Sequence, residues 1–102
     1  MLDIYCVSIQ LCRDVRVISS EVRDAGLRDQ MRRAAASVPL NLAESDGVTG
    51  GNRTQRRRTA LGSARELGAC FDVADALCGV RVDVSVRHRL DHVIGVLVKL
   101  TR

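Results

Sequence analysis

The sequence predicts an all-α protein, an antiparallel up-and-down four-helix bundle formed by a single domain over residues 1–102. Apolar residues recur every three or four positions in four separate segments, without the alternation that is typical of strands. Short polar or glycine-containing connections join these segments, so consecutive helices should lie side by side. A chain of 102 residues, 46% of them hydrophobic, is sufficient for one modest core.

The first helix is predicted at about residues 3–19. Its apolar positions follow helix spacing, with Ile4, Val7, Leu11, Val15 and Ile18 on one face. The polar stretch "SSEVRDAG" then interrupts the pattern, which predicts the first connection.

The second helix is predicted at about residues 25–45, with Asp24 as its N-cap. Pro39 lies inside this segment, where it removes one backbone hydrogen bond and clashes with the preceding turn. Because the apolar residues on either side of the proline keep one face, we predict a kinked but continuous helix. The carbonyl groups freed near Ala35 should then be available to water or to a neighbouring side chain.

The third helix is predicted at about residues 53–78. Asn52 and Gln55 have capping-box spacing, which favours a start at this point, and Gly79 should end the helix. The glycine-rich stretch "ESDGVTGG" before it predicts a loop.

The fourth helix is predicted at about residues 84–101, beginning at Asp83 or Ser85. Its last turns carry Ile94, Val96 and Val98 in addition to the main apolar stripe. This wider apolar surface favours self-association, while an apolar face that wraps around the core of a monomer is the alternative.

The charge of the chain is basic, with a formal net charge of +4 and only one lysine, Lys99, among its cations. A GC-rich genome would also favour arginine codons, so only the clustering of arginines carries an argument. No apolar run approaches the roughly 20 residues of a membrane-spanning helix, and Asp3 stands where a signal peptide would be basic. We therefore expect a cytoplasmic protein.

Catalytic and metal-binding patterns are weak. The four cysteines form no CxxC pair and are expected to be reduced thiols. His88 and His92 are four residues apart on a helix and could share a metal ion, but neither the HExxH glutamate nor a third ligand is evident. The stretch "GVTGGNRT" lacks the GK[ST] ending of a phosphate-binding loop. We predict a non-enzyme without a cofactor or metal.

Two segments resemble a known family. The segment "LRDQMRRAAASVPLNLAES" resembles the second-helix signature of small four-helix-bundle proteins encoded in intervening sequences of bacterial 23S rRNA genes, and "ALGSARELGACFDVADALCG" resembles a second element of that family. The matching positions are Leu27, Gln30, Met31, Arg32, Arg33, Ala34, Ala35, Ser37, Val38, Pro39, Asn41, Leu42, Ala43 and Glu44, then Ala60, Gly62, Ser63, Glu66, Leu67, Val73, Ala74 and Leu77.

The resemblance implies a cyclic homopentamer with a non-enzymatic role in contact with nucleic acid. The same fold serves as the accessory variability protein of diversity-generating retroelements, a basic pentameric partner of a reverse transcriptase and of nucleic acid. The resemblance therefore also implies a reverse transcriptase as a partner.

Arginines cluster where the third helix is predicted to begin. Such a cluster destabilises the helix locally, because a helix N-terminus already carries partial positive charge. An acidic partner would account for the cluster: RNA or DNA, or an acidic protein surface in a purely protein-binding adaptor. A solvated basic face is the bland alternative. The candidate binding residues are Arg53, Arg56, Arg57 and Arg58, extended by Arg32 and Arg33 if the helix ends meet.

The mode of any nucleic-acid binding follows from the aromatic content. Tyr5 and Phe71 are the only aromatic residues, and Phe71 belongs to the core stripe, so no platform for base stacking is available. We expect sequence-independent binding that salt weakens strongly.

A second polar group lies beside the apolar stripes of helices two and three. If buried, its members need hydrogen-bond partners, so we predict a structural network between these helices or between subunits. A catalytic pair formed by Glu44 and Glu66 is the less favoured alternative, because no pocket or complementary chemistry is evident. The predicted network comprises Ser37, Asn41, Glu44, Ser63 and Glu66.

Overall fold

Four helices form the bundle in the computed structural model, which describes residues 3–102. They are α1 (Asp3–Ser20), α2 (Ala25–Asp46), α3 (Gly50–Cys78) and α4 (Val84–Leu100). α1 packs on α2, α2 on α3, α3 on α4, and α4 returns to α1. With connections of three to five residues between helices, consecutive helices run antiparallel. The predicted fold class is confirmed, and the molecule measures 42 × 24 × 20 Å.

Three predicted helix boundaries are confirmed by their cap contacts. The Asp24 carboxylate accepts a hydrogen bond from the backbone N–H of Leu27 at 2.8 Å, which caps α2. Asp83 rather than Ser85 caps α4, because its carboxylate accepts from the Ser85 N–H at 2.8 Å. Gly79 ends α3 in the left-handed conformation, with φ of 67°, where a side chain would be strained.

The predicted start of α3 is wrong. The helix begins at Gly50 instead of near residue 53, and its N-cap is Thr49, whose extended backbone carries no side-chain cap bond. Gly50 has φ of 60°, a conformation that costs glycine little. This glycine lets the chain reverse within three residues, so Asn52 and Gln55 lie inside the helix instead of forming a capping box.

The core draws on all four helices. Each of the residues named next is at most 2% exposed, and burial of such a side chain is worth about 1.5–3 kcal/mol. They include Leu11 from α1, Met31 and Leu42 from α2, Leu67 and Phe71 from α3, and Leu97 from α4. The apolar stripes predicted from helix spacing therefore face one common interior.

The continuity of α2 across Pro39 is confirmed. Proline has no N–H, so the carbonyl group of Ala35, four residues earlier, has no donor within the helix. The Cys12 thiol of α1 supplies one, with Sγ at 3.4 Å from the Ala35 oxygen. A neighbouring side chain thus satisfies the freed carbonyl, which is one of the two partners predicted.

An ion pair joins the first helix to the last. Arg89 donates from Nε to Asp14 Oδ2 at 2.9 Å and from Nη2 to Oδ1 at 3.0 Å. Only 11% of the Asp14 side chain is exposed. On the neighbouring edge, Arg87 pairs with Asp72 at 2.9 Å and lies 5.5 Å from the centre of the Phe71 ring. Charged contacts therefore close the bundle around α4.

The excess apolar surface lies on different helices from those expected. Ile94 and Val96 are half-buried against the core, and Val98 is half-buried as well. Most of the exposed large apolar residues of the described chain lie on α2 and α3, and none lies in the last turns of α4. They are Leu40, Val73 and Leu77, with Val17 on α1 and Val84 at the start of α4. Among residues 3–102, no helix combines the length and apolar character that crossing a membrane requires.

Candidate nucleic-acid interface

The register between α2 and α3 determines which residues share one end of the bundle. Ser63 Oγ donates to Ser37 Oγ at 2.7 Å, and Arg56 Nη1 lies 2.9 Å from Glu44 Oε2. Both contacts join residues whose numbers sum to 100, as expected of antiparallel helices without a bulge between them. Arg58 is therefore level with Leu42, and the start of α3 is level with the end of α2.

The first turns of α3 extend beyond the end of α4. The contact between Arg87 and Asp72 sets the register of these two helices, and it places Leu100 level with Thr59. Residues 50–58 thus continue past α4 by about 13 Å at 1.5 Å per residue. We call the four arginines of this projecting segment, Arg53, Arg56, Arg57 and Arg58, the arginine tip.

Two residues of the arginine tip continue the core-facing stripe of α3. Arg53 and Arg57 are half-buried, and they precede Ala60 and Ala64 at intervals of three and four residues. Where α4 no longer covers this stripe, its residues change from apolar to basic. The spacing of the stripe is visible in the sequence, although the end of α4 is not.

The contacts of the arginine tip leave much of its charge available. Arg56 pairs with Glu44, but half or more of each side chain is exposed, so the pair contributes little stability. Arg53 Nε donates to the Val48 carbonyl group at 3.1 Å and holds the connection. Within the described residues Arg57 Nε is buried and has no hydrogen-bond acceptor, and Arg58 is exposed.

The electrostatics of the tip oppose local helix stability. Cations near a helix N-terminus are unfavourable by about 0.3–1 kcal/mol each when exposed. Arg53 and Arg57 add like-charge repulsion at four-residue spacing. Between Glu44 and Arg58 the chain carries four arginines and two acids, Glu44 and Asp46. This segment is therefore net positive, and it can bind an anionic partner that offers several negative groups.

Arg32 and Arg33 lie away from the arginine tip, so the expected meeting of the two arginine groups at the helix ends does not occur. Arg32 Nε donates to Ser19 Oγ at 2.9 Å, near the end of α1. Arg33 is exposed beside a cleft between α2 and α3, level with Leu67. It lies nine residues, about 14 Å along the axis, from the level of Arg58. The sequence correctly predicted that both residues lie on α2, but it did not show how far they lie from the end of α2.

Three of the five residues proposed for the polar network are hydrogen-bonded to one another. Ser63 donates to Ser37, and Asn41 Nδ2 donates to the Ser37 carbonyl and Oγ at 2.9 and 3.0 Å. Glu44 instead reaches Arg56, and Glu66 is exposed without a side-chain hydrogen bond in the described chain. The register also separates Glu44 from Glu66 by about 15 Å along the axis, which excludes a catalytic carboxylate pair.

The histidines and two of the cysteines complete the description of the chemistry-bearing residues in the described part of the chain. His88 and His92 are both exposed, and within residues 3–102 no three His, Cys, Asp or Glu side chains are grouped to hold a metal ion. Burial raises the pKa of the Cys12 thiol, and burial together with the Glu66 carboxylate raises that of Cys70. Both thiols are therefore protonated at neutral pH and poorly nucleophilic.

These features define a class of protein: a small four-helix bundle whose central hairpin carries a basic tip. Residues 1–96 match the family described as 23S rRNA-intervening sequence protein. The chain belongs to this family. A comparison with curated proteins found no match.

Proposed function

We propose that this protein is a non-enzymatic, cytoplasmic scaffold or accessory protein that assembles with copies of itself and binds nucleic acid through the arginine tip. The observation that carries the proposal is the concentration of four arginines on the first turns of α3, which project past the end of α4 together with the end of α2. Helix stability does not account for this cluster, because both the helix dipole and like-charge repulsion oppose it.

The form of the tip suits a phosphate backbone. Guanidinium groups bind phosphate oxygens in a planar, two-pronged geometry, and the exposed Arg58 is available for such a contact. The exposed pair between Arg56 and Glu44 can exchange for a phosphate at little cost. Because no aromatic side chain lies on this segment, RNA and DNA should bind without sequence preference.

Two finer features of the proposal come from the family resemblance. The first is a homopentameric ring, in which five arginine tips would act together and raise the apparent affinity through multiple attachment. The second is a nucleic-acid enzyme as the partner, specifically a reverse transcriptase, as for the accessory proteins of diversity-generating retroelements. Native mass spectrometry tests the first, and co-purification with a reverse transcriptase tests the second.

The second candidate function is a protein-binding adaptor. The pair between Arg56 and Glu44 favours it, because it shows that an arginine of the tip can bind a carboxylate in this setting. In that case an acidic protein surface would occupy the tip in place of phosphate groups.

Binding of generic RNA and DNA oligonucleotides, followed by fluorescence anisotropy, distinguishes the two functions. Four phosphate contacts per chain on duplex DNA predict a loss of affinity of about a hundredfold between 50 and 200 mM salt. Replacing all four arginines of the tip with glutamine should abolish this binding. Affinity that is indifferent to salt and to the replacement would reject nucleic-acid binding and favour the adaptor.

A matched control removes the same charge elsewhere. Replacing four exposed arginines outside the tip, Arg13, Arg16, Arg23 and Arg81, with glutamine lowers the net charge equally. This control should retain most of the binding. If it loses as much affinity as the tip variant, overall charge rather than the tip is responsible.

A further inference from the structure

A small cleft between α1 and α2 remains unused by the proposed function, and we call it the α1–α2 pit. It has a volume of about 220 Å³. Its floor is apolar apart from one thiol, and the only charged residues that line it are two arginines. The lining consists of Cys12, Val15, Arg16, Arg32, Ala35 and Ala36. An apolar floor with a few polar groups at its edge is typical of a small-molecule site.

The two arginines lie at similar heights on opposite walls of the α1–α2 pit. Two contacts set the register of these antiparallel helices: Cys12 with the Ala35 carbonyl group, and Arg32 Nε with Ser19 Oγ at 2.9 Å. The first contact places Arg16 level with residue 31 of α2, and the second places it level with residue 35. Arg32 therefore lies within about three residues of the level of Arg16, about 4.5 Å along the axis.

The positive charges of these walls have no acidic partner within residues 3–102. Arg16 and Arg32 are both exposed, and neither forms an ion pair in this part of the chain. The Nε of Arg32 donates to a neutral hydroxyl group, which leaves its charge uncompensated. Two like charges on facing walls repel each other, and an anion between them would replace this repulsion with two attractions. The walls of the pit therefore favour a negatively charged ligand.

The floor of the pit sets a second requirement. The Cys12 thiol already donates to the Ala35 carbonyl group, so these two polar groups satisfy each other and do not need a ligand. What the floor offers is therefore apolar surface. An apolar cavity of about 150 Å³ is sufficient for benzene. The α1–α2 pit, at about 220 Å³, thus accommodates an apolar group of about six carbon atoms.

We propose that the α1–α2 pit binds a small amphiphilic anion, an apolar group of about six carbon atoms that carries a carboxylate or phosphate head. The apolar group lies on the floor, and the head group lies between Arg16 and Arg32, which donate to its oxygen atoms. Guanidinium groups bind carboxylate and phosphate in the same two-pronged geometry, so the two head groups share one recognition chemistry. This site is separate from the arginine tip and does not depend on nucleic-acid binding.

Titration of the full chain followed by ¹H–¹⁵N NMR spectra measures affinity and locates the bound molecule. The probes are heptanoate and hexyl phosphate, which carry the same hexyl group on the two head groups. Hexanol lacks the charge, while acetate and inorganic phosphate lack the hexyl group. We expect at least one amphiphilic anion to bind saturably, with a Kd on the order of 1 mM, and roughly tenfold or more tighter than the three partial probes. The backbone amide signals of Ala35 and Ala36 should shift with it.

The comparison of heptanoate with hexyl phosphate identifies the preferred head group. Absence of saturable binding for both would overturn the proposal, and so would hexanol binding as tightly as either anion. Signal shifts that leave out the lining residues would also overturn it, because the probe would then occupy another part of the surface.

Charge removal tests the two arginines. Arg16→Gln and Arg32→Gln should each raise the Kd of the tighter probe by roughly fivefold or more, because each removes a charge-assisted contact with the head group. Arg13→Gln and Arg33→Gln are the matched controls on the same two helices, since both arginines are exposed and do not line the pit. If the controls weaken binding as much as the pit variants do, net charge is responsible and the proposed site is wrong.

A filled pit tests the apolar floor without a change of charge. Ala36→Leu adds three carbon atoms at an exposed position of the lining and keeps a good helix former, so the bundle should fold as before. Binding of the tighter probe should weaken roughly tenfold or more. Ala43→Leu is the matched control, an exposed alanine of α2 outside the pit. Unchanged affinity in Ala36→Leu would overturn the proposal.

The two proposals fail separately in these experiments. The variant without the four arginines of the tip should bind heptanoate and hexyl phosphate as the wild type does, and Ala36→Leu should bind RNA as the wild type does. If tip replacement abolishes binding of these anions, they bind at the tip and the α1–α2 pit is not their site. If the pit binds as expected while tip replacement leaves RNA binding unchanged, only the nucleic-acid function is wrong.

Discussion

The contact between Cys12 and the Ala35 carbonyl group predicts a coupling between Cys12 and Pro39. The thiol serves as the donor that the proline removes, at a distance of 3.4 Å. In Pro39→Ala the backbone N–H of residue 39 returns and satisfies Ala35 within the helix. The Cys12 thiol should then contribute less to the free energy of unfolding. A double-mutant cycle with Cys12→Ala and Pro39→Ala measures this difference directly.

The expected magnitude can be worked from the contacts. Cys12 is half-buried, so removing its sulfur should cost about 0.4 kcal/mol of apolar burial, half the value of a buried methylene group. Loss of the hydrogen bond should add about 0.5–1 kcal/mol in the wild type. In the Pro39→Ala background only the burial contribution remains. The coupling energy is therefore about 0.5–1 kcal/mol, equivalent to a difference of roughly 2–8 °C in Tm.

Urea denaturation followed by circular dichroism, under reducing conditions, provides the free energies of unfolding. The exposed thiol of Cys6 supplies a control, because Cys6→Ala should have little effect in either background. If the effects of Cys12→Ala and Pro39→Ala add to within about 0.3 kcal/mol, the thiol does not compensate for the proline and the reasoning is refuted.

Three further predictions concern the stability of the bundle. Ser37→Ala should cost about 1–2 kcal/mol and more than Ser63→Ala, because Ser37 accepts from two side chains; equal costs in urea titrations would contradict this. Asp14→Asn should lower the free energy of unfolding by about 1–2 kcal/mol, because it weakens the ion pair with Arg89. Arg89→Lys should also destabilise the protein, because lysine cannot form the two-pronged contact. An unchanged Tm in either variant would count against the ion pair. Burial raises the pKa of the Cys12 thiol above its ordinary value, so the thiol ionises at lower pH in the unfolded chain than in the folded one. Its contribution to folding stability is complete at neutral pH and is lost as the pH rises through the alkaline range, so Cys12→Ala should lose less stability between about pH 8 and 10.5 than the wild type.

Local chemistry made the fold readable from the sequence. Asp24 and Gly79 act within a few residues of their own positions, through a cap bond and a left-handed backbone respectively, and both were predicted. The start of α3 was missed because Asn52 and Gln55 have the spacing of a capping box. That spacing does not show that Gly50, two residues before Asn52, turns the chain into the helix with its positive φ.

The candidate site was only partly readable, because periodicity within a helix does not give the register between helices. Arg32 and Arg33 share α2 with Glu44, yet only the contacts of Ser37 with Ser63 and of Glu44 with Arg56 show how far they lie from the tip. For the same reason, the sequence predicted that the Ala35 carbonyl would find a partner but not that this partner would be the Cys12 thiol.

The ion pair between Asp14 and Arg89 has a consequence for the order of folding. α2 and α3 are joined by three residues, so their contacts close a short loop, whereas Asp14 and Arg89 are separated by 75 positions. Closing the longer loop costs more chain entropy. The ion pair between Asp14 and Arg89 can offset that cost only when α1 and α4 are both in place. We expect this pair to form after the rate-limiting step, so that Asp14→Asn speeds unfolding and leaves the refolding rate nearly unchanged in a chevron plot. The ion pair between α1 and α4 thus determines the unfolding rate of the bundle, while the α2–α3 hairpin determines its folding rate.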